Sequence, residues 1–418
     1  MRRISNPHLR AALPWLAAWI ALTACAFILH ALVRLPPEAG LPWFGSGRSA
    51  IVVAAANVTT ILMLPGWVVS WFIFGPATTH LVRGALLACA LGAANWTALA
   101  LLFDLARRRF RVPRPRPIGK DVDPSRRRFL VDGAFGCTAA AGLGAFAHST
   151  AIEPWRLVTR NYEHPIENLP RSLEGLRIVL IADTHLGPSI SASFIRGAID
   201  QALALKPDLA LLLGDYVHFS TRYIEPSAEL FRPVVERVPL GAIGVLGNHD
   251  WYANGPLMSR ALTNVGVRMI DNDRLFLRAD RTVSKTPSPE SLCIAGVGDQ
   301  DSDTIGLDAA LGDVAPETPR LLLAHNPDTA EDPRLIPNGI VAPPRIDLML
   351  SGHTHGGQVR IPFLGTPVLP SNYGQKYSGG LVRGPSCPVL VSRGVGMSII
   401  PVRFGVPPEI VLLTLRSA

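Results

Sequence analysis

The sequence predicts an α/β domain over residues 151–418, preceded by a helical membrane region in the first third. Three observations carry this reading. From Leu176 onward, short apolar strands alternate with helix-like stretches. Five of those strands end directly on a residue able to bind a metal ion. Ahead of them, three apolar runs are each long enough to cross a bilayer core, which takes roughly 20 residues as helix.

At 418 residues the chain has room for two domains. Its apolar fraction is 48% and its mean hydropathy is +0.26, both high for a purely soluble protein. Charge is divided unevenly. Residues 1–130 hold 16 Lys/Arg and 4 Asp/Glu, a balance of +12; the whole chain carries +8, so residues 131–418 come to −4. The basic character therefore belongs to the first third. The remainder has no basic, aromatic-interleaved face, and no nucleic-acid partner is expected.

The apolar runs are residues 11–33, 50–74 and 84–106, the last interrupted only by Asn95 and Asp104. Six of the eight tryptophans fall in this region, several near run ends as interfacial anchors would. Residues 1–106 thus predict about three transmembrane helices. Residues 107–128 follow with ten Lys/Arg, and with Pro113, Pro115 and Pro117 that keep the segment extended. Its charge places this linker in the cytoplasm. Within it begins Ser125-Arg126-Arg127-Arg128-Phe129-Leu130, which resembles the twin-arginine export motif, followed by a weakly apolar run ending in Ala145-Phe146-Ala147. Residues 129–150 are accordingly an export-type signal or a further span. Either puts residues 151–418 on the periplasmic side of a bacterial inner membrane. The five cysteines follow no metal or disulfide spacing: Cys25, Cys89 and Cys137 lie in apolar segments that favour buried thiols, while pairing of Cys293 with Cys387 is neither required nor forbidden.

In the C-terminal part, residues 177–182 predict a strand with Asp183 and His185 at its C-terminal end. Residues 194–205 predict a helix, and 209–213 a strand ending in Gly214-Asp215. Residues 227–237 read as a helix, and 242–246 as a strand ending in Gly247-Asn248-His249-Asp250. Residues 320–324 form a strand ending in His325. Residues 346–350 form one ending in Gly352-His353-Thr354-His355-Gly356-Gly357-Gln358. Residues 389–391 and 410–414 supply further strands.

One aspartate after a strand is usually a turn or a helix cap. Here Asp183, His185, Asp215, Asn248, His325, His353 and His355 all fall on one edge of the predicted sheet, where active sites of open α/β sheets collect. Oxygen and imidazole donors without thiolates suit Mn, Fe, Zn or similar ions. Seven donors exceed what one catalytic ion with an open position uses. They suit two ions about 3.5–4 Å apart that share a carboxylate.

These blocks, in this order over about residues 176–418, resemble the calcineurin-like metallophosphoesterases. The likeness is greatest to the bacterial membrane-linked branch, whose Gly-His-Thr-His-Gly-Gly-Gln block stands at residues 352–358. Ser392-Arg393-Gly394 and Pro401-Val402-Arg403-Phe404-Gly405 are similar to that branch as well. The resemblance implies a two-sheet sandwich flanked by helices. It implies that Asp183, His185, Asp215 and His355 hold one divalent ion, and that Asp215 bridges to a second completed by Asn248, His325 and His353. It carries His249 over as the residue that protonates the leaving oxygen or stabilises the transition state, with Asp250 holding and polarising that imidazole; a further metal ligand is the alternative for His249. The implied function is hydrolysis of phosphate esters or phosphoanhydrides at a membrane. Tethering suggests a lipid-linked or envelope substrate, selected by loops such as 252–260 and 371–380. The alternative, a non-catalytic metal-binding membrane sensor or scaffold, would be signalled by loss of His249 or of a ligand, and all are present. A transporter is disfavoured by the few spans and by the absence of paired intramembrane charge.

Overall fold

Successive side chains on the central strands face two different apolar layers, and that alternation organises the molecule. The computed structural model describes residues 137, 140–142, 144–337 and 342–418. One six-stranded sheet contains β1 (Val158–Ile166), β2 (Arg177–Ile181), β3 (Leu209–Leu212), β4 (Ala242–Gly244), β5 (Arg268–Met269) and β13 (Glu409–Ser417), in the order β1-β13-β2-β3-β4-β5. A seven-stranded sheet runs through β11 (Gly380–Arg383), β12 (Pro388–Val391), β10 (Leu348–Ser351), β9 (Arg320–Leu323), β8 (Ser291–Gly296), β6 (Asp273–Arg278) and β7 (Val283–Ser284). Both are mixed. β2 to β5 run parallel, with β13 antiparallel to β2. β12, β10, β9 and β8 run parallel, with β11 and β6 antiparallel to their neighbours.

Ile178, Leu180, Leu209 and Leu211 of the first sheet meet Ile294, Leu321, Leu323, Leu348 and Leu350 of the second in the layer between them. The alternate residues Val179, Ile181, Ala210 and Leu212 pack beneath α1 (Ala192–Ala204), α2 (Ile224–Leu230), α3 (Arg232–Arg237) and α5 (Gly255–Asn264). On the far side, Cys293, Ala295, Leu322 and Met349 pack with α6 (Leu307–Leu311). The result is the expected α/β sandwich. Each fully buried Leu or Ile contributes roughly 1.5–3 kcal/mol.

Several expectations are corrected. The single helix over residues 227–237 is two, α2 and α3, because Pro233 occupies the first turn of α3 and cannot donate a backbone hydrogen bond back into α2. Residues 252–260 are not a loop: they continue α4 (Asn248–Ala253) and, after extended Asn254, enter α5, which the Asn254 side chain caps by accepting from Leu257 N. Cys137 is exposed rather than buried, and Cys293 and Cys387 are buried free thiols. Strand β1 escapes sequence reading because it is polar and holds Pro165, which an edge strand tolerates. The apolar runs, the basic linker and the twin-arginine-like motif lie outside the described residues. Among the described residues no helix is long and apolar enough to cross a membrane.

Candidate metal centre

The parallel strands of both sheets deliver their C-terminal loops to one place. The loops after β2 and β3 are laced together by Asp183 N donating to Gly214 O at 3.0 Å and His185 N to Asp215 O at 3.0 Å. Asp183, His185, Asp215, His353 and His355 all hold positive φ, between 47° and 69°. Such left-handed backbone at non-glycine residues is uncommon, and it clusters where the surrounding structure over-determines a functional geometry. It turns each side chain sharply inward from its strand end. Gly247, just after β4, admits the approach: a Cβ there would lie 2.2 Å from Asp215 Oδ1 and 2.7 Å from His325 Cε1.

The donor atoms converge as two overlapping sets. Asp183, His185 and His355 form one, and Asp183, Asp215 and His325 the other, each within 4.8 Å of one another. His185 Nε2 lies 2.9 Å from His355 Nε2. Asp215 Oδ2 lies 3.4 Å from His185 Nε2 and 3.3 Å from His325 Nε2, between the two sets. Asn248 Oδ1 and His353 Nδ1 face each other at 3.1 Å. Second contacts fix the rings: His325 Nδ1 lies 2.6 Å from Leu213 O and donates to it, which turns Nε2 toward Asp215 Oδ2. The backbone N–H of His353 donates to Asp183 Oδ1, and that of His249 to Asp215 Oδ1, both at 2.9 Å.

These residues fit cations. Asp183 Oδ2 and His325 Nε2 are buried and make no well-formed hydrogen bond among the described residues, a costly arrangement for polar atoms unless something else occupies them. Burial pushes the Asp183 carboxyl up to about 7, with nearby Asp215 adding to the effect against the opposing His325. Burial would raise Asp215 also, but the imidazoles of His325, His249 and His185 outweigh it and hold that carboxylate well below its usual range. Burial lowers His353 to about 3 and takes His185 and His355 well below their ordinary value, so these rings are neutral and ligand-ready near pH 7. Burial would lower His325 too, but Asp215, Asp183 and Asp299 outweigh it and hold that imidazole well above its ordinary value, so the buried carboxylates make this a site that favours positive charge.

His249 lies in the first turn of α4 at the edge of this cluster. Its Nδ1 lies 2.6 Å from His218 O and its Nε2 3.2 Å from Ser398 Oγ. The expected contact between Asp250 and this imidazole is replaced by another. Asp250 is fully buried and accepts from the backbone N–H groups of Asp215, Tyr216 and Gly247, each at 2.9 Å, and of Val217 at 3.3 Å. It holds the Asp215 loop, because α4 turns its carboxylate under that loop and its neighbour's ring outward. Sequence reasoning missed His218, whose ring stacks on His249 with centroids 5.3 Å apart, and which forms with His185 and His249 a third close donor group. Its only signal was its place three residues after Asp215. It also missed Ser398 and Asp301, the latter 3.8 Å from His353 Nε2. Arg403 is buried; it donates to Gly396 O, Arg393 O and Gly394 O and reaches to 3.4 Å of His355 Nδ1, bracing the loop behind that ring.

Residues 176–357 match the family described as calcineurin-like phosphoesterase. The chain is 30% identical over 300 residues to the uncharacterized metallophosphoesterase YkuE of Bacillus subtilis, covering 70% of this chain and 98% of that protein. It is 32% identical over 300 residues to the phosphodiesterase YaeI of Escherichia coli, covering 70% of this chain and 99% of that one. Identity to the UDP-2,3-diacylglucosamine pyrophosphatase LpxG of Chlamydia trachomatis is 28% over 298 residues, 59% of this chain and 86% of that protein. Matched across nearly the whole length of two such relatives, the chain belongs to the calcineurin-like phosphoesterases, a family of metal-dependent hydrolases.

Proposed function

We propose that the chain is a membrane-anchored, dinuclear phosphoesterase that cleaves a phosphodiester or phosphoanhydride bond in a lipid-linked substrate. The observation that carries the chemistry is the convergence of Asp183, Asp215 and the three buried histidines His185, His325 and His355 around an Asp183 oxygen that makes no hydrogen bond among the described residues. Asp183, His185 and His355 would hold one divalent ion, and Asn248, His325 and His353 the other, with Asp215 shared. Mn, Fe and Zn all suit these donors. Such a pair supplies charge neutralisation for phosphoryl oxygens and an acidified water. The protein's own contribution follows from its geometry. The His249 Nδ1 proton is held on the His218 carbonyl, which turns Nε2 to the site edge; in the doubly protonated ring this nitrogen would give its proton to the leaving oxygen, leaving the neutral Nδ1–H imidazole. Asp250 and Arg403 keep the two ligand loops in their left-handed turns.

The lipid-linked part of the reading is supported by the apolar runs at 11–33, 50–74 and 84–106 and by likeness to a protein named for a diacylated sugar nucleotide. The same reading assigns residues 1–106 to the anchor, 107–128 to a cytoplasmic linker, 129–150 to an export-type signal or further span, and 151–418 to a catalytic domain on the periplasmic face. The test is hydrolysis of bis-p-nitrophenyl phosphate and p-nitrophenyl phosphate by the full-length chain with Mn added. Hydrolysis is expected to require metal, to vanish in Asp215→Asn, and to fall by about 10²–10⁴ in His249→Ala. No turnover by protein with bound metal would overturn catalysis and favour a non-catalytic metal protein.

A further inference from the structure

Large apolar side chains stand in water along one rim of the metal centre. Gln358, which closes the histidine loop, clasps Ser398: its Nε2 donates to Ser398 O at 2.9 Å and its Oε1 accepts from Ser398 N at 2.8 Å. Ser398 Oγ is the group 3.2 Å from His249 Nε2, so the next residue, Ile399, lies at the mouth of the centre. Ile399 is 81% exposed at φ 60°, a conformation that a β-branched residue adopts only under constraint. From the other end of Gln358, a tight turn closed by Ile361 N to Gly365 O at 2.8 Å and Gly365 N to Ile361 O at 2.9 Å projects Phe363 and Leu364. Phe363 is fully exposed, again at positive φ, and Leu364 is 73% exposed. Val368 beyond them is also exposed. Strained backbone that holds apolar side chains outward has no folding purpose, and contiguous exposed apolar groups mark interaction sites.

The position of the tether indicates the occupant. Residues 149–153, which follow the apolar runs and the basic linker in sequence, dock on the same stretch as the rim: Arg403 N donates to Ser149 O at 3.0 Å and Gly405 N to Glu153 Oε2 at 2.9 Å, while Phe404 between them pairs with residues 358–360. Ile152 and Trp155, on either side of Glu153 in sequence, are exposed as well, and Arg360 adds an exposed cation beside the turn. A tether raises the effective concentration of bilayer at this rim, so a few inserted side chains suffice for stable contact.

We infer that the rim formed by Phe363, Leu364, Val368 and Ile399 rests in the interface of a phospholipid bilayer and opens the metal centre toward lipid headgroups. This rests on the membrane-anchored reading above and deepens it. The test uses the full-length chain in vesicles of phosphatidylglycerol and phosphatidylethanolamine, with or without brominated phospholipid. Phe363→Trp adds an indole on the rim, and Glu317→Trp adds one before β9, at the opposite end of the strand that carries His325. After subtraction of the parent's emission, the indole at 363 is expected to lose most of its signal to brominated lipid and the one at 317 to keep it. Unchanged bis-p-nitrophenyl phosphate hydrolysis would verify that both variants are intact. An unquenched indole at 363 in a chain that floats with the vesicles overturns this inference alone. A chain that does not float overturns it together with the anchoring. Burial of the indole that appears without lipid and grows with protein concentration assigns the rim to a second copy instead. Loss of hydrolysis in the parent, with quenching retained, refutes the catalytic reading and leaves the rim in place.

Discussion

Asp250→Asn separates two roles for a carboxylate that adjoins the central histidine in sequence. In the structure both oxygens are used: Oδ2 accepts from Asp215 N and Gly247 N, and Oδ1 from Tyr216 N and Val217 N. Asparagine replaces one oxygen with an NH2 group. Two backbone N–H groups then lose their acceptor and face a donor in a buried setting. At about 1.5–3 kcal/mol for each hydrogen bond to a charged group, the loss is about 3–6 kcal/mol before relaxation. A typical domain has only about 5–15 kcal/mol in total. The Asp215 turn, held at φ 57°, would also relax and weaken metal binding. Thermal unfolding of the full-length chain, with and without added Mn, measures both effects. A large drop in Tm with weakened metal binding is expected. An unchanged Tm, with only a displaced limb of the pH–rate profile, would refute this and return Asp250 to the imidazole of His249.

Two further outcomes follow from the same geometry. Gly247→Ala places a Cβ 2.2 Å from Asp215 Oδ1 and 2.7 Å from Asp215 N, so the carboxylate must move by about an ångström, and a misplacement of that size costs about 10² in rate; hydrolysis within a fewfold of the parent would contradict it. Asp271 accepts from Leu246 N at 2.8 Å, and burial pushes its carboxyl up to about 7 from 3.8. The folded state therefore binds this proton more tightly than the unfolded state. The stability it confers is full below pH 3.8 and is lost as pH rises toward 7. Asp271→Asn should flatten that slope and gain on the order of 2–4 kcal/mol over the parent above the window, with no gain below it, by chemical denaturation against pH; a parent-like slope would contradict this.

Much of the centre was legible because each ligand follows an apolar strand at once. Ile178 to Ile181 announce β2 by composition, and a parallel strand ending in Asp183 can send that residue only to the shared edge. The likeness of the blocks to a known family then ordered the ligands. What escaped the sequence is contact across loops. Nothing near residue 398 indicates that a serine will meet His249 across 149 positions. Asp250 reads as a partner of its neighbour because adjacency is visible in a sequence, whereas its true partners, four backbone N–H groups, are not side chains at all. The polar edge strand β1 and the charge-flanked strand β6 lack the longer apolar runs that betray β3 and β9, since each is only partly buried. The break between α2 and α3 was written in Pro233, and the helical nature of residues 252–260 in Asn254 and Pro256, a cap followed by a first-turn proline.

One carboxylate, Asp215, lies between two sets of ligands. Metal content of the full-length chain, loaded with Mn and counted by plasma mass spectrometry, tests it directly. Two ions per chain are expected in the parent, with both lost or greatly weakened in Asp215→Asn because each depends on the shared oxygen. A parent that holds one ion at saturation, or an Asp215→Asn variant that still holds two, would contradict the dinuclear centre.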